Sequence, residues 1–85
     1  MANKKLELRI IMPNVKSEEK PPQFVDMVVV PCINGELGIL PSRLPCSMVL
    51  RKGAVRVFDG DSEIRINING GIASMSRDIV TVLSN

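Results

Sequence analysis

Apolar residues recur at every second position along most of this chain. Leu6, Leu8, Ile10 and Met12 alternate with Glu7, Arg9 and Ile11. This places four apolar side chains on one face of a strand. Pro13-Asn14 then turns the chain, and the polar, proline-ended stretch from Ser17 to Pro22 reads as a loop or an edge connection. Phe24 to Val30 carries the strongest strand signal. Its consecutive valines, Val28 to Val30, imply burial on both faces over part of its length. Pro31 has no N–H to give a sheet ladder and predicts the end of that strand. Asn34-Gly35 predicts a tight turn, because both residues tolerate positive φ. A short return strand, Leu37 to Leu40, follows and is closed by Pro41.

The same period continues downstream. Ser47 to Leu50 and Ala54 to Phe58 read as two strands joined by a turn at Arg51-Lys52-Gly53. Asp59-Gly60-Asp61 is a hairpin signal. In Glu63 to Asn69, Ile64, Ile66 and Ile68 face in while Arg65 and Asn67 face out. Gly70-Gly71 interrupts the alternation, Ile72 to Met75 resumes it, Arg77-Asp78 turns, and Ile79 to Leu83 closes the chain. No segment sustains a 3.6-residue period and no linker divides the sequence. The pattern predicts one all-β domain over residues 1–85, a small β-sandwich or flattened barrel of about eight to ten short, mostly antiparallel strands.

Composition narrows this further. Of 85 residues, 45% are hydrophobic, yet Phe24 and Phe58 are the only aromatics, so the core must be aliphatic. A chain this short buries a modest core and has a net stability of roughly 5 kcal/mol. The formal net charge of +2 is mixed along the sequence. It forms no dense basic stripe, and two Phe supply no stacking platform, which argues against a nucleic-acid partner. No apolar run approaches the roughly 18 residues that span a bilayer, and the amino-terminal alternation is not a secretion signal. Cys32 and Cys46, without a single His, make a poor zinc site; two free thiols outweigh a structural disulfide, which the spacing alone leaves open.

Chemistry finds little purchase. The run GELGIL lacks the Gly-Lys-Ser/Thr of a phosphate loop and leads to a proline segment rather than a helix. Gly38 reads as a bulge or a close backbone approach, and Pro41 and Pro45 as a rigid extended crossover. Gly70 and Gly71 read as a sharp bend at a sandwich corner. Ser42, Ser47 and the thiols have no base at a recognisable spacing. No catalytic residue, metal or cofactor is predicted.

Gly35 to Pro45, GELGILPSRLP, follows the apolar strand Val28 to Pro31 and is answered by Asn69-Gly70-Gly71 and Val80 to Leu83. This order resembles the N-terminal β-sandwich domain of the ε subunit of F-type ATP synthase, from about Leu6 to Leu83. Gly35, Glu36, Gly38, Pro41 and Pro45 fall on the family pattern. The resemblance implies a non-catalytic central-stalk subunit that binds the γ subunit by one sheet face and the membrane c-ring by its turn-bearing edge. It implies a partner-contact role for Glu36, which would face the polar loops of the c-ring. Arg43 stands where the family usually has His, near the surface that meets γ, and cannot reproduce a titrating imidazole. The chain ends at Asn85, so the resemblance implies either a naturally short form or the N-terminal part of a longer subunit, without the family's C-terminal helical hairpin in both cases. The subunit would be monomeric when isolated, and peripheral on the cytoplasmic face of a bacterial inner membrane through its complex. The competing reading is a stand-alone β-sandwich module for a small ligand or peptide, which an exposed aromatic cluster or a polar pocket would favour.

Overall fold

In the computed structural model, residues 4–12 and 23–85 are described; the turn expected at Pro13-Asn14 and the loop expected at 17–22 lie outside them. The described residues form seven strands and no helix: β1 (Leu6–Ile11), β2 (Gln23–Val25), β3 (Met27–Cys32), β4 (Gly35–Ile39), β5 (Cys46–Asp59), β6 (Ser62–Ser76) and β7 (Ile79–Ser84). They make one hydrogen-bonded sheet in the order β2-β1-β7-β6-β5-β3-β4. Only the β1–β7 pair is parallel.

The sheet becomes a sandwich because its two longest strands change face midway. Along β5, Cys46, Met48 and Leu50 pack inward first, then Val55 and Val57. Along β6, Ile66 and Ile68 pack inward first, then Ala73 and Met75. The inward positions therefore switch between even and odd numbers on both strands at one place. There Leu50 pairs with Gly71 and Lys52 with Asn69. The ribbon folds over at this corner. One layer then carries β2, β1, β7 and the adjoining halves of β6 and β5, and the other carries the remaining halves with β3 and β4.

Between the layers lies the aliphatic core. Leu6 and Leu8 of β1, and Val80 and Val82 of β7, meet Val28 and Val30 of β3 and Ile39 of β4 in one buried cluster. All three valines of β3 are buried, so that strand is covered on both faces.

Seven strands form among the described residues where eight to ten were expected, because β5 and β6 each span what the sequence divides in two. Residues 46–59 run as one strand: the turn expected at Arg51-Lys52-Gly53 does not form, because the ladder with β6 resumes at Lys52 and Gly53. In the opposite sense, the single strand expected over Phe24 to Val30 is split at Asp26. Phe24 and Val25 pair with β1, whereas Met27 onward pairs with β4 and β5. Pro31 does not stop β3. It sits where the β3–β5 register shifts between Val29 and Cys32, a place where a missing N–H is tolerated. The first hairpin turns at Ile33-Asn34 rather than Asn34-Gly35, since Cys32 pairs with Gly35. Gly35 alone of these has positive φ, 124°.

Ile64 is the other departure. Its register with Val57, and of Val57 with Val28, keeps it on the inward row. It is half exposed because it lies at the open mouth of the sandwich. There, with Gln23, Phe24 and Val57 among others, it lines a shallow groove of about 300 Å³.

Candidate functional site

The outer face carries an apolar row that the core does not need. Val49 pairs with Ile72, Ile72 with Leu83, and Leu83 with Ile11. Neighbouring strands put these side chains side by side across β5, β6, β7 and β1. The row is roughly 14 Å long at the usual strand spacing. Its members are 56%, 52%, 50% and 53% exposed. Ile33, whose N–H donates to the Val49 carbonyl at 3.3 Å, adds a fifth exposed apolar residue at one end. Two residues along each strand, on the same face, Ser47, Ser74, Thr81 and Arg9 form a polar row beside it. Scattered exposed apolar residues need no explanation, but an aligned row is the signature of a contact surface. Periodicity alone did not reveal it, because alignment depends on strand register. The only local hint was an apolar residue at an outward position, as in Ile10-Ile11 and Met48-Val49-Leu50.

Glu36 is the second residue of β4, the terminal strand of the sheet, two residues beyond the turn. It does not stand free in solvent. Its Oε1 accepts a hydrogen bond from Arg56 Nη2 at 2.9 Å. Arg56 in turn lies 4.0 Å from Glu63 Oε2 and sits over the Phe58 ring, 5.6 Å from its centroid. Glu63 Oε2 also accepts from Arg65 Nε at 3.2 Å. Four alternating charges thus run across the outer face from β4 over β5 to β6. Arg56 was not singled out in the sequence; twenty residues separate it from Glu36, and no local spacing links them.

Residues 40–45 connect β4 to β5 along the same side of the molecule. Pro41-Ser42 forms a turn in which Ser42 has φ 69°, and the Ser42 N–H donates to Asp78 Oδ1 at 2.7 Å. Asp78, at the β6–β7 turn, thereby pins the loop. Arg43 Nη1 reaches the Gly38 carbonyl at 3.4 Å, a long and weak bond. Pro45 is exposed, and Leu44 is 82% exposed, more than any other large apolar residue among those described.

The glycines divide sharply. A Cβ on Gly71 would lie 2.0 Å from the Leu83 carbonyl oxygen, and φ there is 140°. Gly70, at φ 99°, accepts the Asn85 N–H at 3.0 Å. Gly38 differs from its expectation as a bulge or tight approach. It pairs regularly with Val29, and a Cβ would meet the Met27 sulfur only at 3.7 Å, an ordinary contact.

Lys5 Nζ lies between Asp26 Oδ1 at 3.2 Å and Asp59 Oδ1 at 2.5 Å. Asp26 Oδ2 accepts the Gly60 N–H at 2.6 Å. That backbone donor first, and Lys5 second, hold the Asp26 carboxyl below its usual range. The same two carboxylates, Asp59 foremost, push Lys5 up. Cys32 and Cys46 are free and half-buried, and burial pushes the Cys32 thiol up. Among the described residues, no group of three or more His, Cys, Asp or Glu is placed to hold a metal ion.

Fold and surface together define a class: a two-layer aliphatic β-sandwich with an apolar outer row and a charge ladder reaching the β4 edge. The ATP synthase Delta/Epsilon chain β-sandwich domain family matches residues 5–85. The chain belongs to that family. The ATP synthase epsilon chain of Alkalihalophilus pseudofirmus is 47% identical over 60 residues, covering 71% of this chain and 45% of the relative. That of Halalkalibacterium halodurans is 37% identical over 79 residues, covering 93% of this chain and 57% of the relative. The chain therefore spans about half the length of the curated relatives it matches. In solved structures the fold recurs in a chain of the Euglena gracilis mitochondrial ATP synthase OSCP/F1/c-ring assembly. The TM-score is 0.77 at 18% identity, covering 98% of this chain and 53% of that one. It recurs also in the Tetrahymena thermophila mitochondrial ATP synthase central stalk/c-ring. There the TM-score is 0.70 at 11% identity, covering 99% and 66%. At these identities the structural likeness establishes the fold.

Proposed function

We propose that this chain is a non-catalytic rotor component of a proton-translocating F-type ATP synthase. It docks on the γ subunit through the outer face that carries Val49, Ile72, Leu83 and Ile11. It meets the c-ring through the β4 edge that carries Glu36, with Arg43 on the flanking loop toward γ. The observation that carries this reading is the aligned apolar row. Burying four half-exposed aliphatic side chains is worth little to the isolated domain and several kcal/mol, on the order of 25 cal/mol per Å², to a complex. The mechanism is mechanical. A sandwich closed by long cross-strand ladders resists shear, so it widens and stiffens the foot of the stalk while the ring turns. Its membrane association, on the cytoplasmic face of a bacterial inner membrane, comes through the complex. No helix among the described residues is long and apolar enough to cross a bilayer.

Co-purification tests this directly. The chain is expected to be retained by γ and by membranes containing γ and the c-ring. Ile72→Asp is expected to abolish retention while the variant stays folded. Retention of Ile72→Asp at the wild-type level would refute the docking face.

A further inference from the structure

We infer that Arg56 is a positioning residue for Glu36: it holds one carboxylate oxygen and leaves the other aimed outward as the acceptor for a partner's hydrogen-bond donor. This rests on the reading of the β4 edge as a partner contact. Of the two Glu36 oxygens, Oε1 takes the Arg56 bond and Oε2 has no partner among the described residues. The Glu36 side chain stays 48% exposed while Arg56 is 30% exposed. The arginine is therefore the anchored member of the pair and the glutamate the presented one.

Arg56 is fixed from several sides. The Phe58 ring lies under its guanidinium and Glu63 faces Nη1; the buried Nε has no partner among the described residues and does not help to hold it. Its β-strand pairing with Val29 on one side and Arg65 on the other sets where its backbone sits. A planar guanidinium held in this way offers its remaining N–H groups in one direction only. An unheld glutamate on an exposed edge loses rotamer freedom on binding, and the Arg56 bond removes much of that loss beforehand. The four charges of the ladder sum to zero. Long-range attraction is thus weak, and what the edge offers a partner is a placed acceptor, suited to an amide, hydroxyl or guanidinium donor on a polar loop.

A double-mutant cycle on association of the full chain with membranes containing γ and the c-ring tests the role. Glu36→Gln is expected to weaken association about tenfold in the wild-type background and less than about twofold in Arg56→Met, because the second change has already freed the side chain. Arg56→Lys keeps the charge without the planar fork, leaves the fold undisturbed, and is expected to fall between the two. A merely structural role for Arg56 would make the losses add. An equal tenfold loss from Glu36→Gln in all three backgrounds overturns the role of Arg56 while leaving the edge contact standing. No loss from Glu36→Gln in the wild type removes the edge contact and, with it, the role of Arg56.

Discussion

The inner and outer faces of one sheet carry the same kinds of residue for opposite ends. Met75 and Ile72 both lie on β6, three residues apart. Met75 is fully buried in the core cluster, whereas Ile72 is half exposed between Val49 and Leu83. The inner set stabilises the domain. The outer set contributes little to folding and is free to serve contact. Apolar character alone therefore does not mark the core of this protein; the face does, and the corner at Leu50 and Gly71 decides which face each position joins.

The largest expected effect comes from breaking that corner. Gly71→Ala adds a Cβ that would lie 2.0 Å from the Leu83 oxygen, in a backbone conformation that L residues rarely adopt. The cost is expected to be about 3 kcal/mol or more, since strain and a backbone clash add. That is most of the stability of a domain this size. Chemical denaturation of the purified variant checks it, and a midpoint equal to wild type would mean that the corner relaxes. Gly38→Ala is the control. Its Cβ has room and its φ is ordinary, so a change within about 0.5 kcal/mol is expected.

Next in size is the direct contrast between faces. Met75→Ala is expected to cost about 2–5 kcal/mol by opening a cavity. Ile72→Ala is expected to change the isolated domain by about 0.5 kcal/mol or less and to act instead on association with γ. Thermal melts measure the first quantity and co-sedimentation the second. Equal destabilisation by the two substitutions would erase the distinction between inner and outer rows.

These contrasts explain what was legible in the sequence. Alternation named the inward face of β1, and the aliphatic composition foretold a core without aromatics, because both are local properties. The ladder across Lys52-Gly53 was hidden by a local turn signal that a long-range pairing overrides. The break at Asp26 was hidden in a run of strand formers. It is made by contacts far away in sequence: the Asp26 N–H donates to the Phe58 carbonyl at 2.9 Å, and its carboxylate takes Gly60 and Lys5. The apolar row and the Glu36–Arg56 pair were hidden for the same reason. Both exist only once β5, β6, β7 and β1, or β4, β3 and β5, are in register.

A smaller effect, and of opposite sign, is expected at the loop beside the edge. Ser42 holds φ 69°, a conformation costly for a residue with a Cβ. The bond from its N–H to Asp78 offsets this and survives substitution by glycine. Ser42→Gly is expected to stabilise the domain by up to about 1 kcal/mol, the strain relief less the added freedom of the unfolded chain. A lower melting temperature would show that the hydroxyl does more than tolerate the turn.

The smallest effect belongs to the exposed clasp of Lys5, Asp26, Asp59 and Gly60, held by charge rather than apolar area. Asp26 is held below its ordinary carboxyl range, first by the Gly60 N–H and then by Lys5. A group whose folded pKa is depressed adds stability above its unfolded value and loses it as pH falls through the folded one. The clasp is therefore fully present at neutral pH and is lost below the ordinary Asp value of 3.8. Asp26→Ala removes both bonds at once. Its melting temperature is expected to fall slightly short of wild type at pH 7, in keeping with the modest worth of surface ion pairs. The two curves are expected to converge as the pH drops below that range. A gap that persists unchanged to pH 2 would mean that Asp26 acts by shape and not by charge.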